Sequence, residues 1–215
     1  MERENTKKVW RKRIVRSLFE FFVVFLGVYL AFLFTDYQEA IQDKKIRIKY
    51  HSSLIFEFEV FAQHLEQEEI KLQKLLLLVE QIKQGQKPAL TIAELYYLYD
   101  GSVVKAAFND SNFGSLNQGL LQSIIEGTLL LEQLENKILR FNQLQQTLLI
   151  PLLTKESGDF YRQDAQLKPV FLWYPKLIQD IEKTNRQLHG IITEKAIPGM
   201  EQQKTALENS PYWSI

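Results

Sequence analysis

The chain has 215 residues, 26 basic and 26 acidic side chains, and no cysteine. Balanced charge removes the electrostatic footprint of a nucleic-acid binder, so no nucleic acid is expected as a partner. The missing cysteine removes disulfides, thiol catalysis and Cys-based metal or iron–sulfur sites, and an apolar content of 46% marks a chain that folds.

Charge is unevenly placed. Residues 1–17 hold seven cations (Arg3, Lys7, Lys8, Arg11, Lys12, Arg13 and Arg16) against two glutamates. Phe21-Phe22-Val23-Val24-Phe25-Leu26-Gly27-Val28-Tyr29-Leu30-Ala31-Phe32-Leu33-Phe34 follows without a charge. With Leu18, Phe19 and Glu20 the run reaches 17 residues, the lower limit of roughly 17–25 for a bilayer span. A buried core helix would rarely be apolar on every face beside a polybasic arm. A cleaved leader needs small residues at the cleavage site, and Leu33-Phe34-Thr35-Asp36 offers bulky ones. An interfacial helix needs a polar face, which this segment lacks. The expectation is a transmembrane helix over residues 18–35, with the lipid bilayer as its first partner.

The basic excess before the span, against Lys44, Lys45, Arg47 and Lys49 after it, points to an N-terminus in the cytoplasm. Residues 36–196 are then expected as a periplasmic domain at a bacterial inner membrane. Tyr37 stands where a belt aromatic meets the outer headgroups. Glu20 is acidic inside the apolar run, one turn from Arg16. A local pair at the interface is the plainer reading, and a contact to a second membrane subunit the sharper one.

Glu20, Val23-Val24, Gly27-Val28-Tyr29-Leu30-Ala31 and Thr35-Asp36-Tyr37-Gln38-Glu39 together resemble the anchor of an uncharacterised family, a domain of unknown function, of single-span bacterial inner-membrane proteins. Phe113-Gly114-Ser115-Leu116-Asn117-Gln118-Gly119-Leu120-Leu121 is similar to a second segment of that family. Phe19, Tyr37 and Gln118 stand where the family usually has Gly, Trp and Ser. The resemblance implies an N-terminal anchor and a helical domain, and supplies no catalytic residue.

From Ile41 to Lys83 there is neither Pro nor Gly, and Leu54, Phe58, Phe61, Leu65, Leu72, Leu75, Val79 and Ile82 recur at helical spacing. This helix is expected to continue from the span as a stalk and to end at Gly85 and Pro88. Thr91-Ile92-Ala93-Glu94 has the form of a capping box, predicting a helix to about Asp100. A turn at 109–112, short helices at about 112–119 and 120–126, and a long helix capped by Thr128 follow. Pro151 is expected to kink that helix rather than end it. A further helix is expected at about 152–166, broken at Lys168-Pro169. Pro175 opens a last amphipathic helix carrying Leu177, Ile178, Ile181 and Leu188. Residues 197–215 read as a loose tail. The fold class expected is all-α: a transmembrane helix leading into a long helix, then an antiparallel helical bundle.

Signatures of chemistry are missing. There is no phosphate-binding loop, dinucleotide fingerprint, Gly-x-Ser-x-Gly or His-Glu-x-x-His, so no enzyme, cofactor or metal site is expected. His64 and Glu68 are spaced to share a metal on one helix, but two ligands do not make a site, and Glu57, Glu59, Glu66, Glu68 and Glu69 read as a solvated acidic face. Phe171, Trp173 and Tyr174 are expected to staple the last helix. Tyr96, Tyr97 and Tyr99 lie at a core margin or form a partner or ligand surface. Trp213, in Pro211-Tyr212-Trp213-Ser214-Ile215, can dock on the bundle, a partner or the membrane interface. The functional expectation is a membrane-anchored, non-enzymatic scaffold that binds a protein partner or itself as a homo-oligomer. The alternative is a periplasmic helical sensor or ligand-binding module acting through another membrane subunit.

Overall fold

The computed structural model describes residues 2–96, 117–152 and 160–211, with side chains from residue 18 onward. Four α-helices occur among them: α1 (Glu2–Lys83), α2 (Gln118–Leu144), α3 (Trp173–Ile191) and α4 (Ile197–Asn209). The described residues contain no β-strand, only an isolated bridge between Tyr161 and Leu167. The all-α class follows directly. Chain contacts divide the molecule into two compact units, Met1–Lys49 with Ala206–Ile215, and Tyr50–Thr205.

Helix α1 is 82 residues long. Nothing in its sequence stops it, since Gly27 is its only Gly or Pro. It ends where expected. Gly85 takes φ +77, the left-handed conformation that costs glycine little. The amides of Gln84, Gly85 and Gln86 then close back on Glu80 O, Ile82 O and Gln81 O at 3.0 Å each.

In the first unit, the side chains from Leu18 to Phe34 are all exposed. Residues 18–35 lie in the one described helix that is long and apolar enough to cross a membrane. Behind this stretch, the Lys44 ammonium donates to Glu208 O at 3.0 Å and Ser210 O at 2.8 Å. A cation thereby sits on the last carbonyls of α4, the negative end of that helix.

The second unit holds the core. One stripe of α1 (Leu54, Phe58, Phe61, Leu65, Leu72, Leu75, Val79) is buried with Ile124, Leu134, Ile138 and Phe141 of α2 and Ile178, Ile181 and Leu188 of α3. Helices α2 and α3 are antiparallel. Gly127 faces Leu188 and Ile191, Lys137 bonds to Asp180 O and Thr184 Oγ1, and Phe141 packs on Trp173 and Tyr174.

Several local expectations are corrected. Gly119 does not end a helix, because Asn117 caps α2 by accepting from Leu120 N at 2.8 Å and Gly119 falls in its first turn. Thr128 is not a cap either. It lies mid-helix, and its hydroxyl donates back to Ile124 O at 3.0 Å. At Pro151 the long helix loses its regular form: α2 widens into a π-turn (Gln145–Leu149) and tightens into a 3₁₀ turn (Ile150–Leu152), and residues 153–159, where its continuation was expected, lie outside the described residues. Of the helix expected at about 152–166, residues 153–159 lie outside the described residues and 161–166 are not helical. They form a short loop closed by Arg162 N to Gln166 O at 2.7 Å and Lys168 N to Phe160 O at 3.0 Å. Residues 197–209, expected as tail, are α4, which continues from α3 through a second π-turn (Ile192–Ala196). Met200 is fully buried, which a loose tail would not allow. The turn at 109–112 and the first part of the Phe113–Leu121 motif fall outside the described residues.

Gly127 gives the packing a direct test. A methyl there would lie 3.7 Å from Ile191 Cγ2 and 3.9 Å from Leu188 Cδ1, ordinary contact distances, beside an apolar gap of about 20 Å³. Alanine also holds a helix interior better than glycine by about 1 kcal/mol. Gly127→Ala is therefore expected to stabilise the domain by about 1 kcal/mol in urea titration, with unchanged m-value; a loss of stability would mean that the α1–α2–α3 packing is wrong.

Candidate interaction surface

Helix α1 has a second face in the domain. Phe56, Gln63, Ile70 and Leu77 repeat every seven residues and are all exposed. Phe56, Ile70 and Leu77 are 62%, 59% and 68% exposed, although they alternate with fully buried leucines. A seven-residue repeat keeps one line of a helix facing one partner. One turn along the same face stand Glu59, Glu66, Gln73 and Glu80, also exposed. The result is an apolar row with an acidic border. The acidic face expected from sequence divides accordingly. Glu59 and Glu66 meet solvent, whereas Glu68 is buried and pairs with Lys71. Glu69 accepts from Asn185 Nδ2 at 3.1 Å and faces Arg186 at 3.5 Å. Glu68 is therefore a packing residue, not a solvated partner of His64. The described residues contain no group of three or more His, Cys, Asp or Glu able to hold a metal.

The tyrosine cluster splits as well. The capping box does not form: residues 91–96 are not helical. Gln145 clamps them, donating to Ala93 O at 2.9 Å and accepting from Ala93 N at 2.8 Å, while Asn142 donates to Leu95 O at 2.9 Å. These side chains satisfy the backbone groups that a helix would have paired. Tyr96 emerges exposed, with the Lys71 ammonium 4.8 Å from its ring centre. Tyr97, Tyr99 and Trp213 fall outside the described residues. Glu20 lies exposed on α1 within the apolar stretch.

A third feature escaped the sequence reading. Asn136, Lys137 and Arg140 of α2 and Trp173, Lys176, Leu177 and Asp180 of α3 line a cleft of about 340 Å³. Three cations and one carboxylate meet there over an indole. The signal was present at a spacing of three, Lys137/Arg140 and Trp173/Lys176, but only the antiparallel pairing of α2 with α3 brings the two sets together. Trp173 also packs edge-on against Phe141 and Tyr174, at 5.8 and 5.6 Å between ring centres. Phe171 is buried against Phe160 at 5.3 Å, so the expected aromatic staple of the last helix forms.

Comparison with known proteins finds no matching family model, no matching curated protein and no matching solved structure.

Two buried tyrosines bond to the backbone of the connection that follows α1. Tyr161 donates to Pro88 O at 2.6 Å and Tyr174 to Thr91 O at 2.8 Å. Burial, with a smaller contribution from Tyr174, pushes the Tyr161 hydroxyl up to about 12. Burial also raises Tyr174, against the opposing hydrogen bonds from Thr91. The fold favours the protonated phenols, so their contribution is complete below the ordinary tyrosine value near about 10 and is lost as pH rises toward about 12. Thermal melting is expected to fall over that interval, with late tyrosinate absorbance at 295 nm. Tyr161→Phe should flatten the fall, and an unchanged slope would contradict the assignment.

Proposed function

We propose that the protein is a single-pass scaffold of the bacterial inner membrane, non-enzymatic, which presents a helical domain to a protein partner on the periplasmic side. The observation that carries this reading is the exposed row Phe56, Ile70 and Leu77 on a helix that also contains the 18–34 apolar stretch. Retention of that stretch as an anchor, rather than loss as a leader, is supported by the bulky residues at 33–36 and by the unbroken course of α1 through them. The basic residues before it favour a cytoplasmic N-terminus. The likeness of the anchor to single-span bacterial proteins agrees with this topology. Glu20 is the candidate contact to a second membrane subunit.

The border of the row sets the partner's chemistry. A parallel second copy in register would oppose Glu59, Glu66 and Glu80 to their own counterparts, which is repulsive. The face suits an amphipathic helix with an apolar stripe flanked by Lys or Arg. A photo-cross-linker at Ile70 in intact membranes is expected to trap such a partner. Capture should fall at least tenfold in Phe56→Glu/Leu77→Glu, and with rising salt, while the domain's stability changes by no more than about 0.5 kcal/mol. Recovery of the monomer alone, of a second copy of this chain, or of a capture indifferent to those substitutions, would overturn the reading.

The cleft between α2 and α3 favours a second reading, a sensor domain that binds a small anion with a flat apolar part. Lys137, Arg140 and Lys176 supply charge and Trp173 a stacking face. Benzoate is expected to raise the melting temperature by a few degrees and to quench tryptophan emission. Arg140→Gln/Lys176→Gln should abolish both effects. No response to benzoate in the unaltered chain would remove this reading.

A further inference from the structure

We infer that the cationic cleft is the head of a longer groove along α2 and α3, and that its ligand is a long-chain carboxylate whose tail lies over Leu129, Leu130 and Ile191. This rests on the second reading above, the anion site, and extends it. A second hollow of about 400 Å³ opens on the same pair of helices, with Leu129, Leu130, Gln187, Gly190 and Ile191 in its wall. The two hollows follow one face of each helix. On α2, Leu130, Gln133, Lys137 and Arg140 succeed one another at spacings of three and four. On α3, Asp180 of the first hollow and Gln187 of the second lie one turn to either side of Thr184. Lys137 donates to Thr184 Oγ1 at 2.6 Å and so ties the helices together where one hollow gives way to the next.

The two ends differ in charge. At the first, Lys137, Arg140 and Lys176 stand against Asp180 alone, and the Trp173 indole N–H is buried with no hydrogen-bond partner among the described residues. An anionic head suits that end. At the other, Glu126 and Glu194 are balanced by Arg186 and Lys195, and Glu126 faces Lys195 at 3.7 Å, which leaves no excess charge for a second anion. The floor there is apolar. Ile191 is buried, and Leu129 keeps a large side chain 54% exposed that a tail would cover. Gly190 leaves the space above the floor open, since a Cβ on it would find only Glu194 Oε1, 4.0 Å away. Leu129 precedes Arg140 by eleven residues, ~16 Å of helix at about 1.5 Å per residue. An acyl tail that fills one leaflet, half of a hydrocarbon core of roughly 30 Å, has about the same length. A small aromatic anion fills the first hollow only, whereas a long-chain carboxylate fills both.

The full chain is reconstituted in phosphatidylcholine nanodiscs with a fatty acid of that length carrying a diazirine at the end of its tail. Light couples the tail to whatever it touches, and labelled peptides are identified by mass spectrometry. Labelling is expected within residues 126–133 and 187–195, measured relative to the apolar stretch 18–34, which the substitutions below leave unaltered. Arg140→Gln/Lys176→Gln should lower it several-fold, and a fatty alcohol with the same tail should give little. Gly190→Phe, which puts a ring in the second hollow, should remove the label yet leave benzoate quenching of Trp173 intact in a Trp10→Phe/Trp213→Phe background. Leu129→Gln, at an exposed position, should also lower the label, and it carries the test if Gly190→Phe fails to fold. A label absent from 126–133 and 187–195, equal for acid and alcohol, or indifferent to the groove substitutions overturns the inference, and the anion reading then stands if benzoate still quenches. Failure of benzoate to quench in the unaltered cleft removes the anion reading, and this inference with it.

Discussion

The burial of one stripe of α1, Leu54 through Val79, is the contact on which the helical domain is assembled. A lone helix of that composition would leave seven large side chains in water, and α2 and α3 cover them with their own apolar faces. Drawn to the same stripe, α2 and α3 also pair with each other, in antiparallel fashion. That pairing creates the Lys137–Thr184 bond, the aromatic group around Phe141, and the cationic cleft. The same helix carries, from Leu18 to Phe34, a surface with no buried side chain at all. One continuous backbone therefore carries two kinds of surface, an apolar stretch exposed on every side and a stripe buried on one side.

The polar side chains finish what apolar burial begins. Gln145 and Asn142 hold the irregular segment around Ala93 and Leu95, and Asn185 donates to Leu65 O from within the core. Removing Gln145 or Asn142 takes away the partner of a backbone group at Ala93 or Leu95, which is expensive relative to the modest gain of forming the bond. They fix which of these residues lie against which helix, where leucine contacts alone would tolerate sliding.

Much of this was legible in the sequence, and the remainder failed for identifiable reasons. The buried stripe of α1 was read residue by residue, because 3.6-fold periodicity survives any tertiary context that covers one face. The helix end at Gly85 was legible because only a left-handed residue closes it cheaply. The Thr91 capping box was misleading: its local pattern was sound, but Gln145, more than fifty residues away, offered the backbone a better partner. Residues 197–209 read as tail because Pro198 and Gly199 are poor helix formers, yet burial of Met200 and the Lys44 cap override that propensity. Gly119 and Thr128 looked like boundaries and are interior, since a helix with a good cap at Asn117 passes through weak positions. Of the tyrosines singled out in the sequence, Tyr96 lies exposed at the edge of the core. The outer row of α1 was hidden in a run so rich in leucine that inner and outer positions look alike until burial separates them.

The central claim is that the two stretches of α1 answer to different solvents. Hydrogen exchange on the full chain in lipid nanodiscs, followed across a urea series, tests it directly. Urea unfolds what water-driven burial holds together and leaves a lipid-embedded helix alone, because backbone groups in hydrocarbon have no partner except each other. The account predicts that amides of residues 54–82 lose protection together with those of α2 and α3, while residues 20–34 stay protected throughout. Loss of protection over 20–34 at the same urea concentration as the domain would contradict it.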